Sequence, residues 1–195
     1  KLKLEKQLLG FYLSDHPLKH LSKPAKLISP TSLSTLEDFK DRSKVSLVAM
    51  IPELRQITTK KGDRMAVIQL EDLSGTCEAV VFPKTYLRLS EFLITDTRLL
   101  VWGTIDKRSD KTQLIVEDCR EIDNLKLLII NLKCDQASDI RVQNKIRNCL
   151  IKFKADRDKC GVKTPVLAAV KSNESVTYVK FGDQFCVSDI DAAAK

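Results

Sequence analysis

The chain of 195 residues is long enough for one large domain or two small ones, and its 33 Lys and Arg against 26 Asp and Glu give a net charge of +7. This charge favours an anionic partner, although it is far below that of ribosomal or histone-like proteins and is equally compatible with ordinary solubility. No apolar run approaches the ~20 residues that span a bilayer, so we expect a cytoplasmic protein without a membrane partner.

Six cysteines are scattered along the chain without a C-x-x-C pair. Cys77, Cys119, Cys149 and Cys186 lie in apolar runs, where cysteine behaves as a small hydrophobic residue. With no secretory signal in the sequence, we expect reduced thiols in a cytosol rather than a disulfide framework. The chain begins without Met and within a helical pattern, so we expect it to be part of a longer polypeptide.

Residues 1–22 predict a helix that ends before Pro17. His16 and His20 have the spacing of a metal-binding pair, but Pro17 breaks the helix that would align them, and a polar helix end is the better interpretation. Residues 23–44 are rich in Ser, Pro and Lys and predict a linker, with a short helical turn over Leu33–Phe39. The apolar residues of the first helix share one face: Leu4, Leu8, Phe11 and Tyr12.

Residues 45–122 have the pattern of a five-stranded OB-fold barrel. Strand-like runs over 65–70 and 77–82 flank Glu71-Asp72-Leu73-Ser74-Gly75, and Gly75, which adopts positive φ easily, predicts a hairpin turn there. A helix over 83–93 begins at Pro83, where the missing N–H costs nothing. Strands over 98–105 and 113–119 follow. Five strands with a helix between the third and fourth is the order of an OB-fold, which commonly binds single-stranded nucleic acid.

Alternation along these strands predicts which side chains fill the barrel. Gly103 interrupts the fourth strand, as expected where a barrel strand bends sharply. The helix after the third strand is expected to close the open end of the barrel. The predicted inward-facing residues are Cys77, Ala79, Val81, Leu99, Val101 and Ile105 in the strands, and Tyr86, Leu89 and Leu93 in the helix.

Two basic loops lie at the predicted binding edge of the barrel. OB-folds bind oligonucleotides through strands two and three and through the loops after strands one and four, which are residues 58–64 and 106–111 here. Phosphate contacts from such loops give salt-sensitive binding without sequence preference, although hairpin tips are often charged simply because they are exposed. Aromatic side chains for base stacking are scarce, since Trp102 and Tyr86 fit the core better. The predicted nucleic-acid-binding residues are Thr59, Lys60, Lys61, Arg64, Phe82, Lys84, Lys107, Arg108 and Lys111.

Residues 125–191 predict a small α+β domain with the order β-α-β-β-β. A strand over 127–132 and a helix start at 135–138 come first, and short strands are expected over 166–170, 176–181 and 185–187. The intervening helix has one apolar stripe, made of Val142, Ile146, Cys149, Leu150 and Phe153. Its other face is basic and is either a solvated surface or a second anion-binding surface: Arg141, Lys145, Arg147, Lys152 and Lys154.

The sequence contains no catalytic constellation. It has no Gly-rich phosphate loop, no Ser/His/Asp arrangement and no pair of aspartates in a context that would hold Mg²⁺. Asp72 is best explained by turn chemistry beside Gly75. These observations predict a binding module without its own cofactor.

Several segments, in order, give the chain a specific resemblance to a known family. They are Leu9-Gly-Phe-Tyr-Leu-Ser-Asp-His-Pro-Leu18, Thr59-Lys-Lys-Gly-Asp-Arg-Met65, Leu70-Glu-Asp-Leu-Ser-Gly75, Val81-Phe82, Thr164-Pro-Val166 and Val179-Lys-Phe-Gly182 with Val187-Ser188. The series resembles the C-terminal part of the bacterial replicative DNA polymerase III alpha subunit. The chain departs from that family at Asp15, where Gly is usual before His-Pro, which affects only the local end of the helix.

The resemblance implies a role for each part of the chain. Residues 1–22 would be the tail of a helix-hairpin-helix region, and residues 45–122 would be an OB domain that receives single-stranded template DNA. Residues 125–191 would help to dock the clamp-loader tau subunit and other polymerase III holoenzyme subunits, although the family's usual further C-terminal tail is missing after Lys195. The Mg²⁺- and dNTP-dependent nucleotidyl transfer of the parent DNA-directed DNA polymerase would use aspartates far upstream, so catalytic residues and cofactors are not expected in this chain.

Two other functions are compatible with the same residues. The barrel and the second domain could form a protein–protein scaffold of the replisome with negligible DNA contact. An OB module that recognises RNA is the other alternative, and the sequence offers no set of base-reading aromatic residues for it.

Overall fold

The structure is a computed structural model that describes residues 18–19, 27–29, 31–107, 111–155, 164–172 and 175–193. The chain divides into two compact units, residues 1–123 and 124–195. The predicted N-terminal helix and the pair His16 and His20 lie outside the described residues. Within those ranges, no helix is both long and apolar enough to cross a membrane.

The first unit contains a closed five-stranded barrel. Its strands follow the order β1-β2-β3-β5-β4, and β4 pairs back onto β1 with antiparallel register. A single helix, α1, lies between β3 and β4. This order confirms the predicted OB-fold. The elements are β1 (Lys44–Thr58), β2 (Arg64–Glu71), β3 (Thr76–Val81), α1 (Pro83–Leu89), β4 (Arg98–Asp106) and β5 (Gln113–Glu121).

The core of the barrel consists of the residues that alternation predicts. Every predicted inward-facing strand residue is buried, and Tyr86, Leu89 and Leu93 pack into the same cluster from α1 and the turn after it. The helix itself is shorter than predicted, because it ends at Leu89 rather than at residue 93. After Ser90, a tight turn in which Phe92 N–H donates to the Leu89 carbonyl carries Leu93 into the core. The predicted helical turn near residue 33 is a 3-10 turn over Leu33–Asp38.

Gly103 lies where β4 comes closest to β5. A Cβ atom at this position would be 2.5 Å from the backbone oxygen of Ile115 and 2.9 Å from the Leu114 side chain. The register of the β4–β5 pair shifts between Trp102 and Gly103. Glycine therefore permits the close approach and the irregularity with which the barrel bends here.

The β2–β3 turn is held by a side chain rather than by an unusual glycine. The expectation of positive φ at Gly75 was wrong, since among the described glycines only Gly62 has a φ in the left-handed region. Instead, Asp72 Oδ1 accepts hydrogen bonds from the backbone N–H groups of Ser74 and Gly75 at 2.6 and 3.0 Å. Asp72 Oδ2 accepts another from Leu33 N–H at 2.8 Å, which ties the turn to the preceding 3-10 segment. Asp72 is thus a turn residue, as the sequence predicts.

The wall formed by β1 and β4 is covered on its outer side as well. Ser46 pairs with Trp102 and Val48 with Leu100, and all four side chains are buried although they point away from the barrel interior. The Ser29 hydroxyl donates a hydrogen bond to the Ser46 carbonyl. The outer surface that remains open therefore lies on the second half of β1, on β2 and on β3.

The second unit is built on a three-stranded sheet of order β6-β7-β8, in which β6 and β7 are parallel and β8 is antiparallel to β7. The described part of the connection from β6 to β7 contains two helices, and a parallel pair requires such a crossover. The apolar stripe of α3 packs on the sheet, where Leu150, Val166 and Val187 are almost fully buried. The elements are β6 (Leu128–Lys133), α2 (Cys134–Ser138), α3 (Ile140–Lys152), β7 (Val166–Lys171), β8 (Val176–Lys180) and α4 (Ile190–Ala193).

The prediction of a last strand over 185–187 was wrong. Asp183–Phe185 is a 3-10 turn, and Val187 forms isolated bridges to Lys154 and Thr164 instead of joining the sheet. In this turn the Phe185 ring packs edge-on against Phe181, with 6.1 Å between the ring centres, a favourable arrangement for two aromatic rings. The observed order is β-α-α-β-β.

Candidate nucleic-acid interface

The loop between β1 and β2 is a compact, ordered turn. Thr59 N–H donates to the Asp63 carbonyl at 2.8 Å, and Gly62 N–H donates to the Thr59 carbonyl at 2.9 Å. The Thr59 hydroxyl oxygen accepts a further bond from Asp63 N–H at 3.1 Å. Gly62 has a φ of 87°, a conformation that other residues adopt only with strain. Thr59 and Gly62 therefore fix the shape of the loop that presents the neighbouring lysines.

Three cations of this loop project into solvent. Lys60, Lys61 and Arg64 are all exposed. Within the described part of the chain, none of their charged groups has a hydrogen-bonding or ion-pair partner. Their charge is consequently available to a ligand, and phosphate groups are the ligands that release counterions on meeting such a cluster.

An apolar sheet surface adjoins the three cations. Ile57 on β1 pairs with Met65 on β2, and in the next row Val67 pairs with Val80 on β3. These side chains point outward, where Ile57 is 43% exposed. Phe82, 45% exposed, follows β3 at the same end of the sheet. This surface supplies apolar contact and one aromatic ring next to the basic loop, which is the combination that single-strand binders use.

The other end of the same sheet surface has the opposite character. Glu53, Gln69 and Glu78 form one row across β1, β2 and β3. Gln113 on β5 donates a hydrogen bond to Glu78 at 3.1 Å, and Glu53 lies 3.5 Å from Arg55 in an exposed ion pair. Carboxylates in this row repel phosphate groups, so the basic loop end is the favourable place for a polyanion.

The loop between β4 and β5 does not join this cluster. Cys77 Sγ, at the start of β3, lies 3.7 Å from the Thr112 carbonyl in that loop, whereas Val81, at the end of β3, pairs with Ala66 beside the basic loop. The two predicted loops thus lie at opposite ends of β3, and the strand from Cys77 to Val81 separates them by about 13 Å at ~3.3 Å per residue. Lys107 is also bonded within the fold, since its Nζ donates to the Glu37 carbonyl at 2.5 Å.

The structure therefore divides the predicted residues into two groups. The first group belongs to the β4–β5 loop, where Lys111 is exposed and Lys107 is half-buried. Arg108 lies outside the described residues. Trp102 and Tyr86 are buried, as predicted. Lys84 is exposed in the first turn of α1, directly after Phe82. The residues gathered at one end of the sheet are Thr59, Lys60, Lys61, Arg64, Phe82 and Lys84.

Sequence reasoning missed the aliphatic part of this surface. Ile57, Met65, Val67 and Val80 alternate with core residues along their strands, and none of them was predicted as a binding residue. The sequence signal that could have identified them is their apolar character at positions that alternate with core residues. Among the described residues, no group of three His, Cys, Asp or Glu side chains is placed to hold a metal ion.

Comparisons with known proteins agree with this geometry. Residues 45–122 match the family described as OB-fold nucleic acid binding domain. The chain is 38% identical over 119 residues to DNA polymerase III subunit alpha of Aquifex aeolicus, an alignment that covers 60% of this chain and 10% of that protein. It is 29% identical over 190 residues to the same subunit of Bacillus subtilis, covering 91% of this chain and 17% of that protein.

The resemblance to DNA polymerase III subunit alpha is thereby confirmed, and the barrel is homologous to the corresponding region of that subunit. The chain spans only 10% and 17% of the length of these two relatives. Among solved structures, mitochondrial single-stranded DNA binding protein Rim1 of S. cerevisiae has 20% identity and a TM-score of 0.35, with 45% of this chain and 100% of Rim1 covered.

Proposed function

We propose that the barrel binds single-stranded template DNA as a non-catalytic part of a replicative DNA polymerase. The observation that carries this proposal is the junction of the loop cations Lys60, Lys61 and Arg64 with the open apolar surface that ends at Phe82. Nucleotidyl transfer with its Mg²⁺ and deoxynucleoside triphosphates is then the task of other parts of the longer protein.

The composition of the surface predicts how the strand is held. Three unpaired cations bind the phosphate groups of the strand whatever its base sequence. One ring, Phe82, can stack on a single base, and the aliphatic side chains beside it offer no hydrogen-bond readout. Because Glu53 and Glu78 repel phosphate at the far end, the strand crosses the sheet near the β1–β2 loop. Weak binding of this kind suits a template strand that has to slide along the barrel.

We also propose that the second unit docks a protein partner, the clamp-loader tau subunit being the one that the resemblance implies. The supporting observation is β8, which within the described residues pairs only with β7 and exposes Val176, Tyr178 and Val179 at 46%, 46% and 51%. An open edge strand with exposed apolar side chains is a template for pairing with another chain. This feature also favours the scaffold alternative, in which protein contacts are the main function of the chain.

A titration of a short fluorescent single-stranded oligonucleotide tests the DNA proposal. We expect affinity to fall between about 50 and 200 mM salt, and the triple variant K60A/K61A/R64A to reduce the slope of log K against log salt by about 2, at ~0.7 per phosphate contact. The matched control K126A/K133A/K171A removes the same charge from exposed lysines of the second unit and should retain the slope.

Two results would overturn the DNA proposal. If the loop variant and the control variant lose the same affinity, the binding reflects net charge rather than a site. If the unaltered chain does not bind the oligonucleotide at low salt but retains the tau subunit in a pull-down, the scaffold function replaces the DNA function.

A further inference from the structure

The positive charge of the chain is concentrated outside the barrel. Residues 45–122 contain 11 Lys and Arg against 12 Asp and Glu, a net charge of −1, whereas residues 124–195 contain 13 against 8, a net charge of +5. Most of the overall +7 therefore belongs to the smaller unit. The net charge of the second unit therefore attracts a polyanion, whereas the barrel attracts one only through the local cations of its β1–β2 loop.

Helix α3 carries the densest part of this charge. Its 13 residues, Ile140–Lys152, include four cations and no carboxylate. Its N-cap residue, Asp139, directs a side-chain oxygen to Arg141 N–H at 2.7 Å and so caps the helix. The exposed cations of α3 are Arg141, Lys145, Arg147 and Lys152.

Packing fixes which face of α3 points outward. Leu150 is buried in the core of the second unit, and Ile146 and Phe153 pack against the same cluster. At 100° per residue, the opposite side of the helix presents Arg141, Lys145, Asn148 and Lys152 in one row at i, i+4, i+7 and i+11. At 1.5 Å per residue, this row, the α3 basic stripe, is about 16 Å long.

Only the N-terminal part of the stripe opposes helix formation, since Lys152 lies in the last turn, where the helix dipole favours a cation. Arg141 and Lys145 are like charges four residues apart, an arrangement that destabilises a helix. Arg141 also occupies the first turn, where the helix dipole favours carboxylates over cations. Lys152 lies with its Nζ 5.3 Å from the centre of the Phe153 ring, which holds this side chain along the helix. The two cations at the start of the helix, Arg141 and Lys145, are arranged against local stability and point to a ligand that compensates them.

We propose that the α3 basic stripe binds the phosphodiester backbone of double-stranded DNA without reading its sequence. A straight, rigid row of cations matches the regular phosphates of a duplex. Lys152 covers the half-buried Phe153 ring, and the stripe itself contains no aromatic side chain on which an unpaired base could stack. This surface is distinct from the single-strand site proposed on the barrel, because its residues belong to the other unit and its ligand is a duplex.

Titration of the full chain with a fluorescent duplex of about 20 base pairs tests the stripe. We expect R141Q/K145Q/K152Q to weaken duplex binding at least about tenfold at low salt and to reduce the slope of log K against log salt by about 2.7, at ~0.9 per phosphate. Two control variants accompany it. R141K/K145R/K152R keeps the positive charge of the stripe and should bind the duplex with normal affinity. K126Q/K133Q/K171Q removes equal charge from other exposed positions of the same unit and should lose less than about threefold.

The results that would overturn the proposal are specific. Equal losses in the stripe variant and in K126Q/K133Q/K171Q would mean that only net charge matters. Unchanged duplex affinity in the stripe variant, together with loss of its retention on phosphatidylserine-containing vesicles, would assign the surface to a membrane instead. Circular dichroism of each variant checks that the helix content of the chain is retained. The barrel proposal is tested separately, since it depends on K60A/K61A/R64A and a single strand.

Discussion

The ammonium group of Lys107 donates a hydrogen bond to the backbone carbonyl of Glu37 at 2.5 Å, across 70 positions of the chain. The backbone N–H of Lys107 donates to Asp41 Oδ1 at 3.0 Å. Together these bonds attach the end of β4 to the segment that precedes β1. A lysine whose position in an OB-fold predicts a phosphate contact is therefore already used to close the barrel.

Replacing Lys107 by Met should separate stability from DNA binding. We expect the thermal midpoint to fall, because a partly exposed hydrogen bond worth about 1 kcal/mol is lost. The affinity for a single-stranded oligonucleotide should stay within about twofold of the unaltered chain, whereas Lys60→Met should lower it by more. Thermal unfolding and fluorescence anisotropy measure the two effects. Equal loss of affinity in both variants would place the β4–β5 loop in the DNA site.

Phe82 is expected to provide the main stacking contact of the barrel. Phe82→Ala should weaken single-strand binding by about 1–3 kcal/mol, the usual contribution of an aromatic ring under a base, and should affect duplex binding little. Leu87→Ala is the matched control, because Leu87 is a 78% exposed apolar residue of α1. Equal affinities of the two variants in anisotropy titrations would exclude stacking on Phe82.

Alanine substitutions at Gly103 and Gly75 should have different effects on the free energy of unfolding. Gly103→Ala places a methyl group 2.5 Å from a backbone oxygen of β5, so we expect a loss of about 1–3 kcal/mol or more in the free energy of unfolding. Gly75→Ala meets no atom within 4 Å and has no positive φ to lose, so its effect should stay within about 0.5 kcal/mol. Urea denaturation measures both. Similar values would mean that β4 and β5 approach less closely than described.

The Cys77 thiol should be unreactive in the folded chain. Burial, followed by the charge of Glu78, raises the pKa of Cys77 from its ordinary value of 9.0 to about 11. Because the neutral thiol is the favoured form, the raised pKa stabilises the fold below about pH 9, and that contribution is lost as the pH rises through 11.

Alkylation with iodoacetamide near pH 8 tests this expectation, since the thiolate is the reactive species. Exposed Cys134 should be modified rapidly, and Cys77 should react only after urea is added. Peptide mass spectrometry distinguishes the two cysteines. Modification of both at one rate in the native chain would contradict the burial of Cys77.

The barrel could be predicted from sequence because its determinants are local. Alternation identified Cys77, Ala79 and Val81 as core residues, and Pro83 marked the start of α1. The last strand of the second unit was mispredicted because a three-residue apolar run does not distinguish a strand from a turn. There the chain forms a 3-10 turn, in which Phe185 packs on Phe181 only four residues earlier, and the apolar pattern does not predict this turn.

The candidate site was predicted only in part, since its assembly depends on pairing register. The residue types of Lys60 and Lys107 are the same, and both lie in loops that OB-folds use for binding. Only the pairing of Val81 with Ala66 and the proximity of Cys77 to Thr112 show that the two loops lie at opposite ends of β3. The apolar row of Ile57 and Met65 could likewise not be predicted without the register that pairs β1 with β2.

Photocrosslinking locates the bound strand most directly. A short oligothymidine with iodouracil at single positions would be bound to the full chain, irradiated and digested, and the crosslinked peptides identified by mass spectrometry. A single strand held at the β1–β2 loop predicts crosslinks within residues 57–65 and at Phe82, which disappear in K60A/K61A/R64A. Crosslinks confined to residues 124–193, or unchanged in that variant, would contradict single-strand binding by the barrel.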